Sequence, residues 1–184
     1  MSEETFDKTQ DFASMGLRSS VLKGVADSGF ENPSDIQAAL IPLVLAGKDV
    51  MGQAKTGTGK TAAFGLPILH MADPKISQQA LILVPTRELA AQVASELDAL
   101  GKHTPIRTTT IIGGESMRHQ SKSLEKGGHI IVGTPGRIMD MQARGQISFD
   151  KIKFVVLDEV DRMLDIGFRE DIRQILSRVH SDHQ

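Results

Sequence analysis

The stretch Ala54-Lys55-Thr56-Gly57-Thr58-Gly59-Lys60-Thr61 decides the reading of this sequence. A short run, Asp49-Val50-Met51, precedes it and predicts a strand; a helical pattern follows it. A glycine-bearing loop between a strand and a helix is the setting of a phosphate-binding P-loop. Gly57 and Gly59 reach positive φ without steric cost, so backbone N–H groups can converge on phosphate oxygens. A helix beginning near Lys60 adds the partial positive charge of its N-terminus. In such a loop Lys60 reaches the β- and γ-phosphates and the Thr61 hydroxyl holds Mg²⁺.

Four further apolar runs lie downstream: Ala80 to Val84, Thr108 to Ile112, His129 to Val132 and Phe154 to Leu157. They are β-branched or leucine-rich and mostly unbroken by polar residues, as in strands buried on both faces. Helical periodicities separate them, with Leu89, Val93, Leu97 and Leu100 at three- and four-residue steps, and then Phe168, Ile172, Ile175 or Leu176, and Val179. Strands alternating with helices predict an α/β domain whose parallel sheet carries helices on both faces. Right-handed crossovers then gather the strand C-terminal ends along one edge, where ligands bind in such folds. Each apolar run leads directly into a polar or glycine-rich cluster: GQAKTGTGKT, PTREL, GGE, GTPGR and DEVD.

The last strand ends in Asp158-Glu159. Two acids after a strand are, by themselves, most simply a solvated loop. With a P-loop on the same edge they read differently: Asp158 suits Mg²⁺, usually through water, and Glu159 suits the base that orients and deprotonates an attacking water.

Composition narrows the remainder by exclusion. The 184 residues fit one compact domain, and 40% hydrophobic with 24% charged residues argues against disorder. No window approaches about 18 uninterrupted apolar residues, which excludes a membrane span and leaves the cytoplasm as the expected location. The acidic, polar start MSEETFDKTQ is wrong for a secretory signal. Without cysteine there is no disulfide framework or thiolate metal site, and the six histidines show no metal-ligand spacing. The net charge of −2 shows no overall basic field, so any nucleic-acid contact must come from a local surface.

Taken in order, the motifs resemble the first RecA-like domain of DEAD-box RNA helicases over nearly the whole chain. The resemblance rests on Phe12 upstream of Gly29 to Gln37 (GFENPSDIQ), then AKTGTGKT, PTRELA (Pro85 to Ala90), Gly113-Gly114, TPGR (Thr134 to Arg137) and DEVD (Asp158 to Asp161). Ala54 in place of the general pattern's first glycine points toward helicase-type ATPases and away from GTPases.

The resemblance implies ATP and Mg²⁺ as cofactors. It assigns ATP binding to Phe12, Phe30, Gln37 and the loop Ala54, Lys55, Thr56, Gly57, Thr58, Gly59, Lys60 and Thr61. Gln37 would read adenine, since an amide donates and accepts at once, and Phe12 would stack on the base. Lys60, Asp158 and Glu159 would be catalytic, with Thr61 and Asp158 on the metal. Pro85, Thr86, Arg87, Gly113, Gly114, Thr134, Pro135 and Arg137 would grip the RNA sugar-phosphate backbone, which positions a strand without reading its sequence. For Arg87 a structural role tying loops together stands beside the RNA role.

Residues 1–11 are then a polar tail, and 12–184 a first RecA-like domain that stops before the family's Ser-Ala-Thr strand. The resemblance makes a second RecA-like domain of the same protein a partner beside RNA. It implies ATP-dependent RNA unwinding by the intact protein, or alternatively an ATP-dependent RNA clamp or assembly platform. The 184 residues alone are expected to bind nucleotide weakly and not to unwind. Two departures carry further expectations. The Ser-Ala-Thr strand normally lies between the P-loop strand and the DEAD-type strand, so without it those strands lack a shared neighbour. Val160 replaces the usual alanine of the signature, and overpacking at a tight strand end would cost about 1–3 kcal/mol unless space nearby absorbs the two added methyl groups.

Overall fold

The computed structural model describes residues 11–55 and 57–184; the first ten residues of the expected tail, and Thr56 of the phosphate loop, lie outside the described residues. The chain forms two compact units, one from the described part of Met1–Met71 together with Glu96–Pro105, the other from Ala72–Ser95 with Ile106–Gln184.

The first unit is helical. It holds α1 (Ser19–Asp27), α2 (Asp35–Leu45) and α3 (Lys60–Met71). Helix α2 starts as its sequence dictates, in the Ser34–Gln37 capping-box arrangement: the Ser34 backbone N–H donates to Gln37 Oε1 at 2.9 Å. Ile41 and Val44 of α2, and Ala62, Ala63, Leu66, Ile68 and Leu69 of α3, are buried. His70, near the end of α3, accepts the Arg18 backbone N–H at 2.9 Å. Burial, with the Arg18 charge, holds its pKa below the ordinary histidine value. The expected strand at Asp49-Val50-Met51 does not form, and Met51 is 98% exposed. So short a run holds an extended strand only with a neighbour to complete its ladder, and the described sheet contains none of it.

The second unit carries that sheet: β1 (Ala80–Leu83), β2 (Thr108–Ile111), β3 (Ile130–Gly133) and β4 (Phe154–Leu157), all parallel, in the order β2-β3-β1-β4. Leu81 pairs with Ile131 on one side and Val155 on the other, so the four strands start and end in step. The connecting helices are α4 (Arg87–Leu100), α5 (Met117–Glu125) and α6 (Pro135–Ala143), followed after β4 by α7 (Val160–Ile166) and α8 (Arg169–Arg178). One core gathers Leu81, Leu83, Ile111 and Ile131 from alternate strand positions against Ile138 and Met141 of α6, Met163 of α7, and Ile172 and Ile175 of α8. The intervening residues Ala80, Ile82, Ile130 and Val132 are equally buried, as expected for strands covered on both faces, whereas β2 alternates between buried and half-buried positions and β4 is half-buried along its length. Each such large side chain contributes about 1.5–3 kcal/mol on burial.

Beyond β4, Gln184 donates its backbone N–H to Lys153 O and accepts that of Val155, both at 2.8 Å, in the manner of a parallel ladder. Among the described residues, no helix is long and apolar enough to cross a membrane.

Candidate functional site

In the first unit the phosphate loop runs into α3, with Lys60 as the first helical residue. Gly57 and Gly59 have φ of 83° and 79°, the left-handed conformation expected of them. Gly59 is fixed on a second count, because a Cβ there would collide with Gln37 Nε2. The loop is held from α2: Gln37 Nε2 donates to Gly59 O at 3.1 Å and Ser34 Oγ donates to Thr58 O at 2.8 Å. Thr58 Oγ1 closes the turn on Lys55 O at 2.7 Å. Gln37 is 1% exposed, with its amide engaged at both ends. Phe12 is also buried and meets Phe30 edge to face, with centroids 6.2 Å apart. Sequence reasoning named both residues for adenine; the structure adds that Gln37 reaches the phosphate loop.

In the second unit the predicted strip assembles at the C-terminal ends of the strands. Pro85 and Pro135 are buried and shape the turns, with Pro135 at the first position of α6. Thr86 Oγ1 accepts the Leu89 N–H at 3.2 Å and so caps α4. Arg87 Nη1 donates to Gly113 O at 3.2 Å, the loop-tying contact that stood beside its RNA role. Gly114 has φ of 81°, and a Cβ there would run into the Arg87 guanidinium. Arg137 is turned inward, its side chain 14% exposed: Nη2 donates to Glu115 O at 2.8 Å, Nε to Gln120 Oε1 at 3.3 Å, and Nη1 lies 3.6 Å from Asp140.

Gln120 was missed by sequence reasoning. It is 3% exposed and donates to Ile112 O at 2.8 Å, so it fastens the end of β2 and Arg137 to the same loop. Its spacing from Met117 and Leu124 at i, i+3 and i+7 was the available signal, since that spacing marks the inner face of a helix.

Asp158 and Glu159 follow β4 as predicted, and Asp158 N–H still bonds to Leu83 O at 3.0 Å. Glu159 then breaks from the strand into left-handed backbone, φ 53° and ψ 48°, before α7. For a residue with a Cβ this conformation costs about 1–2 kcal/mol, and such strain persists where surrounding structure enforces it, often at functional sites. The Glu159 carboxylate, a quarter exposed, lies 3.4 Å from Arg162 Nη1. Val160 begins α7 and is 39% exposed. At that exposure the side chain is not enclosed by a packed interior, so the two added methyl groups need not overpack the strand end.

The DEAD/DEAH box helicase family model matches residues 34–184. The chain is similar to the DEAD-box ATP-dependent RNA helicase CshA of Bacillus cereus, 51% identical over 174 residues that make up 94% of this chain and 33% of that protein. It is 45% identical to the RNA helicase CrhR of Synechocystis, over 96% of this chain and 36% of that one. It thus spans about a third of the length of these relatives. Among solved structures, a DEAD box protein from the hyperthermophile Methanococcus jannaschii superposes with a TM-score of 0.91 at 39% identity, covering 95% of this chain and 48% of that one. The chain belongs to the DEAD/DEAH box helicase family.

Proposed function

We propose that this chain is the nucleotide-binding part of an ATP-dependent RNA helicase whose second RecA-like domain lies outside these residues. The observation that carries the proposal is the bond from Gln37 to Gly59 O, which ties a base-reading amide to the phosphate loop. A P-loop alone serves any nucleoside triphosphate; an amide beside it, donating and accepting together, suits adenine, and reading the base requires the buried Gln37 side chain to move out of its present contacts. Phe12 and Phe30 supply the aromatic surface, and stacking by Phe12 requires its ring to turn out of the present contact.

Lys60 and the loop amides of Ala54 to Thr61 bind the phosphates. Thr61 and Asp158 are the proposed Mg²⁺ ligands. Both offer hard oxygen donors, and no cluster of three acidic or histidine side chains forms a protein cage among the described residues. That suits Mg²⁺, which usually keeps waters and substrate oxygens as ligands; when bound it neutralises charge on the phosphates. Glu159 accepts a proton from the attacking water, with Arg162 orienting its carboxylate. RNA lies along Pro85, Thr86, Arg87, Gly113, Gly114, Thr134, Pro135 and Arg137. Because Arg87 and Arg137 spend donors on protein carbonyls, much of their contribution is to hold the glycine loop in shape.

The test is ATP hydrolysis and duplex separation by the intact protein that contains this chain, with Lys60→Ala beside it. RNA-stimulated hydrolysis and unwinding, both lost in the variant, are expected. Hydrolysis indifferent to RNA would overturn the RNA half of the reading, and hydrolysis that survives Lys60→Ala would overturn the assignment of the site.

A further inference from the structure

Helix α5 has two faces of different character. Its inner face is fastened to the proposed RNA strip through Gln120, whose amide bonds Ile112 O, the Glu115 carboxylate and the Arg137 guanidinium. Its outer face carries Arg118 and Lys122, and Lys126 at its C-cap continues the row, all exposed and at four-residue intervals. At 3.6 residues per turn these three lie within roughly 80° of arc and span about 12 Å along the helix. Arg107 joins the row at its far end, where Nη1 reaches Lys126 O at 3.5 Å.

Like charges spaced at i, i+4 repel and cost a helix a few tenths of a kcal/mol per pair. Among the described residues none of these four forms an ion pair. From Arg107 to Lys126 four lysines and arginines stand against two acids, Glu115 and Glu125, in a chain whose net charge is −2. Glu125 lies just outside the arc, about 20° beyond Arg118. The row is therefore a local cationic surface on an acidic protein, and it begins four residues after Gly114.

We propose that the outer face of α5 is an extension of the RNA surface, taking the phosphates of RNA that runs beyond the segment gripped by the strip. The proposal rests on the RNA-binding reading above. Charge complementarity and continuity select the partner: a polyanion already seated on the Gly113–Glu115 loop has this row beside it. Contacts of this kind release counterions and leave no sequence preference, so salt dependence is their signature.

The experiment measures binding by the intact protein, held with a non-hydrolysable ATP analogue, to two oligouridylates. One is short enough for the strip alone to cover; the other is several times longer. Both are titrated with salt, for the unsubstituted protein and for a combined Arg118→Gln, Lys122→Gln, Lys126→Gln variant. For the long RNA, the variant's slope of log affinity against log salt should be shallower by about 2, near 0.7 for each lost phosphate contact. Binding of the short RNA and of the nucleotide analogue should be unchanged. An unaltered slope for the long RNA overturns this proposal alone. Equal losses for both RNAs, or for the nucleotide, assign the three residues to folding and also overturn it. Failure of the unsubstituted protein to bind either RNA overturns the reading on which it rests.

Discussion

The two ends of the parallel strands in the second unit are built on opposite terms. At the N-terminal ends polar groups are buried and matched. Gln79, 0% exposed, accepts the Asp73 N–H at 2.9 Å and donates to Asp73 O and Ile76 O at 2.7 and 2.6 Å. His129, also buried, accepts the Arg107 N–H on Nδ1 at 3.0 Å, which leaves the proton on Nε2 to donate to Pro74 O at 3.0 Å. At the C-terminal ends the acids are partly exposed, Glu159 sits in left-handed backbone, and glycines stand where side chains would collide. One end is closed by hydrogen bonds that hold strands in register. The other is partly exposed and carries the left-handed backbone of Glu159, although Arg137 and Gln120 beside it are turned inward and hydrogen-bonded. The difference separates residues that maintain the fold from those proposed to act.

The sharpest way to break this division is Glu159→Gln. If the strained acid is the base, the intact protein should retain ATP binding while turnover falls by about 10²–10⁴, the usual worth of general base catalysis. Steady-state hydrolysis beside nucleotide affinity measures this. Turnover near that of the unsubstituted protein would place the chemistry elsewhere.

At the opposite end, Gln79→Ala should act on stability alone. It leaves the Asp73 N–H and two carbonyls without their partner, at a cost of about 3 kcal/mol, or a fall in Tm of roughly 10 °C for a chain of this size. Thermal melting reads the loss, and nucleotide affinity per folded molecule should not move. Loss of affinity at temperatures where the variant remains folded would show that the two ends are not separate.

A smaller effect, of opposite sign, tests the strain directly. Glu159→Gly should relieve the left-handed backbone and raise stability by about 1 kcal/mol, a gain of roughly 2–4 °C in Tm, while removing hydrolysis. A stability gain bought with function at one residue is what the open end predicts; an unchanged or lowered Tm would mean the backbone there is not strained.

The two ends also differed in how far the sequence revealed them. The C-terminal ends were legible because their motifs are local: PTREL, TPGR and DEVD each carry their chemistry in a few adjacent residues, as AKTGTGKT does in the first unit. The sheet was legible through its unbroken apolar runs, apart from residues 49–51, whose extended form depends on a neighbour the run cannot specify. The N-terminal ends were opaque. His129 bonds to Arg107 and Pro74, which only folding brings near, and the Gln79 partners Asp73 and Ile76, though close in sequence, form no motif that marks Gln79 as buried. Gln120 falls between, visible in helical spacing but not in its partners. The left-handed turn at Glu159 was also hidden, since nothing in DEVD marks positive φ in a residue that bears a Cβ.

Val160 gives the smallest effect and the most direct check on where the strained end stops. Sequence left two outcomes at the strand tip: overpacking of about 1–3 kcal/mol, which Val160→Ala would relieve, or space nearby that absorbs the methyl groups. In the structure the side chain is 39% exposed at the first position of α7, one residue beyond the left-handed turn. Truncation there removes little packing. Alanine's higher helix propensity roughly offsets the loss, by about half a kcal/mol. Val160→Ala should therefore change stability by less than about 0.5 kcal/mol, as surface substitutions do, and leave ATP turnover in the intact protein unaltered. A Tm rise matching that of Glu159→Gly would extend the strain into the helix. A markedly faster turnover would mean that the valine restrains the acids it follows. No change in either places the strain in the backbone of Glu159 alone.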